Sequence, residues 1–384
     1  MAAEKNNKTL NVPNLRFPEF SGEWEKVQLS KIVTRVTRKN RNNESRLPLT
    51  ISAQHGLVDQ VTFFNKVVAS SDMSNYYLLH RGEFAYNKSY SGDYPWGAIK
   101  RLDRYDKGAL SSLYICFAPT DIVDSDFLVH YFESPKWHRE VSNIAGEGAR
   151  NHGLLNIAVP DFFNTQHCIT TNKAEQRKIA AFLNLINERI ETQKKIIEDL
   201  KRLKYAISKR VFENHGSSNS MLLGKVADIY QPQTIPTSWL NDTLQYPVYG
   251  ANGVIGKYSE YNHENSQICI ACRGNTCGTV NYSEPKSWIT GNAMVINTDR
   301  YDINKRFLFH QLCTVNYSPL ISGSGQPQIV RSPLEKMKIW FPNEDIQERI
   351  ATLFDTIEDR VLIEETTLIL AERMKQYLLS QLFI

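Results

Sequence analysis

The feature of this sequence that most constrains its fold is a helical segment that occurs twice. "QRKIAAFL" begins at Gln176 and "QERIATLF" begins at Gln347, in the same frame and 171 residues apart. The copies lie in two stretches, 174–213 and 344–384, that contain no Gly or Pro and are dominated by good helix formers. The sequence therefore predicts two long helices, with a globular segment before each of them.

Residues in both stretches follow the alternating steps of four and three that place a heptad stripe on one face of a helix. In the first stretch the stripe consists of Ile179, Leu183, Ile186, Ile190, Gln193, Ile197, Leu200, Lys204, Ile207 and Val211. The second stretch repeats it 171 residues later, polar interruptions included. We therefore predict that the two helices pair with each other. Our hypothesis is that Gln193 faces Glu364 and that this buried polar pair sets the register.

Charge predicts the direction of the pairing. Residues 174–193 carry no net charge and 194–213 carry +4, whereas 344–363 carry −4 and 364–384 carry −1. A basic half beside an acidic half favours an antiparallel pair, because several weak pairs of one sign can decide between similar orientations. Such a pair, about 60 Å long at 1.5 Å per residue, is expected to hold the two globular segments at opposite ends.

The globular segments read as mixed α/β domains, because short β-rich runs such as "SLYICF" and "NAMVINT" are broken by Gly, Asn and Pro turns. They open alike, with "LSKIV" from Leu29 and "LGKVA" from Leu223, and we match the closing pairs Val159-Pro160 and Phe341-Pro342. The longer span from Pro160 to Gln176 predicts an extra turn or short helix in the first domain. The fold class is α/β (α+β), with domains 1–173 and 214–343 and helices 174–213 and 344–384.

Composition excludes several classes of function. The sequence has no run of 18 uncharged apolar residues, and the N-terminal residues lack the apolar core of a secretory signal, so we expect a soluble protein of the cytoplasm. Cys269 and Cys272 are three positions apart in a predicted strand and would point to opposite faces, so we expect no metal site. No P-loop, amino-methyltransferase motif or serine nucleophile elbow is present, which predicts that the chain has no catalytic residues.

Two domains joined by a stiff spacer suit a long, repeating ligand such as duplex DNA, with one half-site for each domain. Arg and Lys side chains neutralise phosphates, Arg and Asn suit guanine and adenine edges, and Tyr can contact a groove edge. In the first domain the candidate DNA contacts are Arg35, Arg38, Lys39, Arg41, Asn87, Lys88, Tyr90, Arg150 and Asn151. In the second domain they are Tyr249, Asn252, Lys257, Arg273, Asn275, Gln326 and Gln328.

Each of these groups also has a structural interpretation. The stretch "RVTRKNRNNESR" can be a solvated basic loop, and "YNKSYSGDYPWG" can simply close its domain. "YGANGVIGKY" and "CRGNTCG" can be hairpin turns in which Gly and Asn supply a positive φ. The alternatives stay open at the level of the sequence.

The opening "VPNLRFPEFSGEWEKVQLSKI", the two helical repeats and "YPVYGANGVIGKY" together resemble a specificity (S) subunit of a bacterial type I restriction-modification system. The resemblance covers almost the whole chain. It implies two target recognition domains that read a split DNA sequence with a fixed gap. It also implies assembly with two methyltransferase subunits, which methylate adenine N6 with S-adenosylmethionine, and with restriction subunits that use ATP and Mg. This chain itself would bind none of these cofactors.

Apolar residues beside the heptad stripe are candidates for contact with methyltransferase helices, because a pair of helices leaves its flanks exposed. They are Phe182, Ile196, Leu203, Leu353, Ile369 and Leu370. These side chains could instead pack against the chain's own domains. Two rival functions stay open: a stand-alone DNA-binding regulator with two reading domains and no enzymatic partners, and an enzyme with a site in the Cys-rich strand.

Overall fold

The computed structural model describes residues 10–66, 69–146, 153–213, 219–323 and 325–384. The chain forms two compact units, Met1–Thr192 with Leu368–Ile384, and Gln193–Thr367. In the described residues, no helix is both long enough and apolar enough to cross a membrane. The boundaries 1–173, 174–213, 214–343 and 344–384 stay a prediction.

Regular elements are numbered along the chain. Up to the end of the first long helix they are β1 (Glu25–Gln28), α1 (Leu29–Ile32), β2 (Val33–Arg35), β3 (Pro48–Ser52), β4 (Gly56–Asp59), α2 (Gln60–Phe64), β5 (Tyr77–His80), β6 (Phe84–Asn87), β7 (Ala98–Arg101), β8 (Lys107–Leu110), β9 (Ile115–Pro119), α3 (Ser125–Glu133), α4 (His138–Ile144), α5 (Val159–Asn164), β10 (Gln166–Ile169) and α6 (Lys173–Glu213). The remainder are β11 (Ser220–Leu222), β12 (Asp228–Tyr230), β13 (Tyr246–Gly250), β14 (Gly253–Tyr258), β15 (Ile268–Ala271), β16 (Val280–Tyr282), β17 (Trp288–Ile289), β18 (Ala293–Asn297), α7 (Lys305–Leu312), α8 (Arg331–Glu335), β19 (Lys338–Trp340) and α9 (Glu344–Gln381).

The first unit is built on a sheet with the strand order β2-β9-β6-β7, in which all neighbours are antiparallel. A second sheet has the order β4-β3-β8-β5, with β3 and β8 parallel. The first sheet and α3 enclose a core rich in aromatic residues, in which Phe84 and Phe117 stack at 5.5 Å. Phe383, near the end of the chain, is 1% exposed and contacts Phe127 at 5.3 Å, so the end of the second long helix belongs to this core. The second sheet packs on the other face of the first sheet and forms a separate apolar cluster there.

The second unit repeats this topology with a different sequence. Its main sheet has the order β12-β18-β15-β16, again antiparallel throughout. A smaller sheet has the order β14-β13-β17, in which β13 pairs antiparallel with β14 and parallel with β17. These pairings match β3 with β4 and β3 with β8 of the first unit. Among the described residues of the second unit, β5 has no equivalent. The mixed α/β prediction is confirmed, and the structure supplies the strand order that the sequence could not.

The closing segments show that one predicted match was wrong. Leu29 N donates to Thr165 O (2.9 Å) and Leu223 N donates to Met337 O (2.8 Å), which confirms that the two openings correspond. Strand β1 then pairs with β10, and β11 pairs with β19. The equivalent of α5 is therefore α8, and Phe341-Pro342 follows β19 rather than matching Val159-Pro160. Both units place a short helix and a strand before the long helix, so the helix in the first unit is not an extra element.

The two long helices pair antiparallel within each unit, as predicted. In the first unit Ile179 and Leu183 share a buried cluster with Leu379 and Leu382, and further along α6 Ile190 packs with Ala371. In the second unit Gln193 bonds to Glu364, Lys204 to Glu358, and Phe212 stacks on Phe354. In both series the number on α9 falls as that on α6 rises. Every residue of the heptad stripe is at least half-buried.

Charge and polar pairing across the helices agree with the sequence analysis. Lys201 Nζ lies 2.6 Å from Glu365 Oε1, and Lys204 Nζ lies 2.5 Å from Glu358 Oε1. Gln193 Nε2 donates to the main-chain oxygen of Glu364 at 3.1 Å and also to its carboxylate. Gln193 is 8% exposed and Glu364 is 6% exposed. The two residues face each other as predicted, and their role in register stays a hypothesis.

Candidate nucleic-acid interface

The glutamine that begins each sequence repeat ties its long helix to a domain. Gln176 Oε1 accepts a hydrogen bond from Asp124 N (2.7 Å), and its Nε2 donates to Thr170 O (2.7 Å). Gln347 Oε1 accepts from Asn304 N (2.9 Å), and its Nε2 donates to Pro342 O (2.8 Å). Asp124 and Asn304 are the N-caps of α3 and α7. One buried side chain thus positions the same short helix against the same turn in both units.

A histidine in each short helix makes a second duplicated contact. His130 Nε2 lies 2.8 Å from Asn184 Oδ1, and His310 Nε2 lies 2.7 Å from Asp355 Oδ1. Asn184 and Asp355 are 171 residues apart, so they occupy the same place in the two repeats. These contacts were not predicted from the sequence. Their signal was an equal spacing between each histidine and its N-cap residue.

His310, Asp355 and Glu358 bring three possible metal-ligating atoms within 4.8 Å of one another. Cations of the protein already occupy this cluster, because Arg306 contacts Asp355 and Glu358 (2.5 and 2.8 Å) and Lys204 contacts Glu358. Burial opposes ionisation of Asp355, but hydrogen bonds from Arg306 and His310 hold the pKa of its carboxyl below the ordinary value. Burial lowers the pKa of His310. The cluster is an ion-pair network between α7 and the long helices.

Two of the four basic candidates in the stretch 35–41 are held by the protein itself. Arg38 Nη2 binds both carboxylate oxygens of Glu83 (2.7 and 2.9 Å). Lys39 Nζ donates to Asn75 O (2.8 Å) and lies 4.4 Å from the centroid of the Tyr77 ring. Arg35 and Arg41 are exposed, on β2 and on the 3-10 turn Arg41–Asn43. Arg35 and Arg41 are therefore the freer candidates for phosphate contact.

The second group of candidates in the first unit lies at the end of β6 and just after it. Lys88 O accepts from Leu155 N (2.9 Å), and Tyr90 N donates to Gly153 O (3.0 Å). Asn87, Lys88 and Tyr90 thus lie beside Gly153, the last residue of the glycine-rich sequence that contains two further candidates. Those two, Arg150 and Asn151, fall outside the described residues.

The sheet register separates the two groups. Arg35 and Phe84 both pair with Phe117, so Arg35 is level with the start of β6. Asn87 ends the same strand. At ~3.3 Å per residue, the two levels differ by about 10 Å along the strand. Among the described residues, no hydrogen bond or ion pair joins one group to the other.

The second unit brings its candidates together at the equivalent place. Beyond β15, Arg273 forms a bridge with Gln328, and Gly274 N donates to Pro327 O (3.0 Å). Arg273, Asn275, Gln326 and Gln328 are all exposed. These four residues therefore lie in two adjacent segments, one that follows β15 and one that precedes α8.

The hairpin of β13 and β14 contains the remaining candidates. Asn252 is exposed in the turn and Lys257 is exposed on β14 opposite Pro247. Gly253 supplies the positive φ of the turn (+96°). Tyr249 is 6% exposed, its hydroxyl accepts from Glu284 N (3.0 Å), and burial raises its pKa. This burial contradicts the predicted surface contact of Tyr249 and assigns the ring to packing.

Exposed apolar side chains near these hairpins were missed by the sequence analysis. Trp239 is 54% exposed and stacks on Tyr258 at 6.0 Å. In the first unit Phe63 and Phe64, on the short helix after β4, are 45% and 43% exposed and touch each other. Periodicity gave no sign of them, because exposure in short elements depends on tertiary packing.

The Cys-rich strand has no features of a reactive site. Cys269 packs with Tyr249 and Val295, whereas Cys272 packs with a different apolar cluster, as expected for opposite faces of β15. Burial raises the pKa of the Cys269 thiol to about 12 and also raises that of Cys272. Both thiols are therefore protonated at neutral pH, which disfavours nucleophilic chemistry.

Five of the six predicted partner-binding residues are exposed: Ile196 (38%), Leu203 (52%), Leu353 (44%), Ile369 (49%) and Leu370 (59%). Phe182 differs. It is half-buried and packs edge-on against Phe17, with ring centroids 5.8 Å apart. The expectation that Phe182 is exposed was wrong, because the chain's own N-terminal residues cover it.

Comparison with known proteins relates this geometry to a family. Residues 218–373 match the family described as "Type I restriction modification DNA specificity domain". A type I restriction enzyme specificity subunit of Escherichia coli, EcoprrI, is 29% identical over 113 residues, which are 29% of this chain and 28% of that protein. A putative type I specificity subunit of Haemophilus influenzae is 27% identical over 139 residues, 35% of this chain and 36% of that protein. The matches thus span about a third of these relatives' lengths.

Solved structures extend the similarity of fold to nearly the whole chain. The S subunit of a type I restriction-modification system from M. genitalium aligns with a TM-score of 0.63 and 16% identity, covering 97% of this chain and 99% of that one. A chain of another type I system, solved in a study of complex assembly, aligns with a TM-score of 0.57 and 16% identity over 94% of this chain and 97% of that one. The resemblance inferred from the sequence is confirmed: residues 218–373 match the type I restriction modification DNA specificity domain, and the chain is similar to specificity subunits of type I restriction-modification systems.

Proposed function

We propose that this chain is the DNA-recognition subunit of a type I restriction-modification complex in the cytoplasm, and that each unit reads one half of a two-part target. The observation that supports this most directly is the repeated topology with unlike surfaces. Exposed Arg, Asn and Gln side chains collect beyond β15 in one unit, and in the other Asn87 ends the equivalent strand β6 and Lys88 and Tyr90 follow it. Arg and Asn match guanine and adenine edges in the major groove.

The paired helices set the gap in this proposal. Half-sites about one helical turn of DNA apart are within reach of a spacer of this length. The chain supplies recognition and a scaffold, while methyltransferase subunits transfer a methyl group from S-adenosylmethionine to adenine N6. Restriction subunits use ATP and Mg. The exposed residues Ile196, Leu203, Leu353, Ile369 and Leu370 are the proposed contacts for the methyltransferase.

Methylome sequencing tests the recognition proposal. Cells that express the chain with its methyltransferase are expected to carry methylated adenine in a two-part motif. Arg273→Ala is expected to relax one half of the motif by about 1 to 3 kcal/mol of base discrimination, and Arg41→Ala to weaken methylation without changing that half. Arg202→Ala is the matched control, since Arg202 is an exposed basic residue on α6 paired with Glu198.

A continuous motif, or an unchanged motif with Arg273→Ala, would contradict the assignment of half-sites. Tight binding to a split site by the purified chain, with no methylation in any pairing, would favour the stand-alone regulator. Copurification tests the scaffold: Leu203→Ser with Leu353→Ser is expected to release the methyltransferase. Full retention of the methyltransferase by this double variant would count against these partner contacts.

A further inference from the structure

The N-terminal strap, residues 11–24, covers one face of α6 in the first unit. Arg16 binds Glu175 through two hydrogen bonds of 2.7 and 2.9 Å, and Glu175 is 1% exposed. Trp24 Nε1 (3.4 Å) and Thr170 Oγ1 (2.7 Å) donate to the same carboxylate. The strap is therefore anchored by a buried, fully bonded charge at the start of the helix.

Two residues further along the same face complete the strap site. Phe17 packs edge-on against Phe182, and Lys178 Nζ lies 5.1 Å from the centroid of the Phe17 ring. Lys178 also forms an ion pair with Glu19. Positions 175, 178 and 182 are spaced by three and four residues, so they line one face of a helix. The segment Arg16–Glu19 thus presents a cation, an aromatic ring, a proline and an acid to this face.

The equivalent face of α9 carries Ile346, Arg349 and Leu353, 171 positions later. The equivalence is structural as well as numerical, because Gln176 and Gln347 make the same contacts. The described residues of the second unit leave the face open: Ile346 is 38% exposed, Leu353 is 44% exposed and the side chain of Arg349 is 78% exposed.

A shallow groove that is open to solvent lies on this face, and its lining comes from α9 alone: Glu348, Arg349, Thr352, Leu353 and Thr356. The chain's own connection at this point is too short to repeat the cover. Six residues separate Glu213 from Ser220, whereas the strap before β1 comprises 14. The connection between α6 and β11 therefore cannot supply an equivalent of the N-terminal strap.

We propose that this groove, named here the α9 groove, docks an extended segment of a partner protein that resembles Phe17-Pro18-Glu19. An aromatic side chain would pack on Leu353 as Phe17 packs on Phe182, and an acid would pair with Arg349 as Glu19 pairs with Lys178. Arg349 is available, since its contact with Asp345 (3.2 Å) is an exposed pair within one helix and so is weak. At the position of Arg16 the docked segment would carry an apolar residue, because α9 has Ile346 where α6 has Glu175.

This proposal deepens the proposed assembly function, since Leu353 belongs to the proposed methyltransferase contacts. It can be measured without any methyltransferase. The probe is a labelled nonapeptide with the sequence of residues 14–22 carrying Arg16→Leu, and the measurement is fluorescence anisotropy with the full chain. We expect saturable binding that is tighter than that of the unmodified peptide.

Matched variants locate the binding. Leu353→Ser is expected to weaken the peptide about tenfold through lost apolar contact, and Arg349→Glu to weaken it about fivefold. A peptide with Glu19→Lys should recover affinity for the Arg349→Glu chain. Leu362→Ser changes a leucine of the same helix that is 62% exposed and outside the groove, and is expected to have no effect. An unchanged melting temperature shows that each variant is folded.

Absence of saturable binding, or binding that Leu353→Ser and Arg349→Glu leave unchanged, would overturn the proposal. Self-association of the chain that the peptide displaces, seen in sedimentation, would replace the partner segment with a second copy and overturn it too. Peptide binding without copurification of a methyltransferase would support the α9 groove and contradict the assembly function. Copurification of a methyltransferase without peptide binding would contradict the α9 groove and support the assembly function.

Discussion

Replacement of the repeated glutamine measures how strongly each domain is tied to its long helix. Gln347→Leu removes the acceptor for Asn304 N and the donor for Pro342 O. Gln347 is 3% exposed and Pro342 is buried, so leucine fills the space but leaves the proline carbonyl without a partner. A buried unsatisfied group costs about 1 to 3 kcal/mol, and loss of the half-buried Asn304 bond costs ~1 kcal/mol more. The expected destabilisation is about 2 to 4 kcal/mol.

Hydrogen exchange read by mass spectrometry is the appropriate assay, because a chain of two units need not unfold in one step. The amide of Asn304 is expected to lose protection by about 30-fold or more, since 1.4 kcal/mol is a factor of ten in an equilibrium constant. Gln176→Leu should do the same to the amide of Asp124, which donates to Gln176. In a chain with both substitutions, the loss of free energy of unfolding should equal the sum of the two single effects, since the two sites share no bonding partner.

Gln376→Leu is the matched control, because Gln376 is exposed on the same helix. Its effect should stay within about 0.5 kcal/mol. If Gln347→Leu left the exchange of Asn304 and the melting temperature as they are in the Gln376→Leu protein, the glutamine would not be a tether. The explanation of the repeat would then have to rest on the apolar stripe alone.

Three further predictions concern the first unit and the helix pair. Arg16→Met leaves Glu175 buried without its ion-pair partner, so the free energy of unfolding of the first unit in urea should fall by about 3 to 5 kcal/mol. Adding Glu175→Gln to the Arg16→Met chain should recover part of this free energy. Burial lowers the pKa of His167 from 6.5 to about 4, so between these pH values the unfolded chain binds a proton at this residue and the folded chain does not. The free energy of unfolding should therefore fall by about 3 kcal/mol as the pH falls from 6.5 to 4. His167→Asn should remove this pH dependence, and a pH dependence that persisted in the variant would contradict the assignment. Gln193→Leu with Glu364→Leu should preserve or raise the melting temperature, because an apolar pair replaces a buried polar one, while altering the gap in the methylated motif; an unchanged gap would contradict the register hypothesis.

Several properties followed from the sequence because they depend on periodicity and charge along a single helix. The spacing of 171 residues, the heptad stripe and the opposite charges of adjoining halves predicted two long antiparallel helices. The structure confirms this pairing down to the contact between Gln193 and Glu364. Helical periodicity is a local property, so a linear sequence displays it directly.

The match between the closing segments could not be made reliably in the same way. Val159-Pro160 and Phe341-Pro342 are similar in sequence, yet the first pair begins α5 and the second follows β19. The correct match depends on the pairing of β1 with β10 and of β11 with β19, which joins residues more than 100 positions apart. Short strands have too little periodicity to predict their pairing partners, so only the tertiary structure decided the strand order of either unit.

The sequence by itself determined the repeat, the helices, the family resemblance and the residue types suited to DNA. Tertiary structure decided which of those residues are available. Tyr249 is buried, Arg38 is bound to Glu83, and Phe182 lies under the N-terminal strap, while its counterpart Leu353 remains exposed. The physical reason is that the exposure of a side chain depends on which distant segment packs over it, and the sequence around the side chain does not identify that segment.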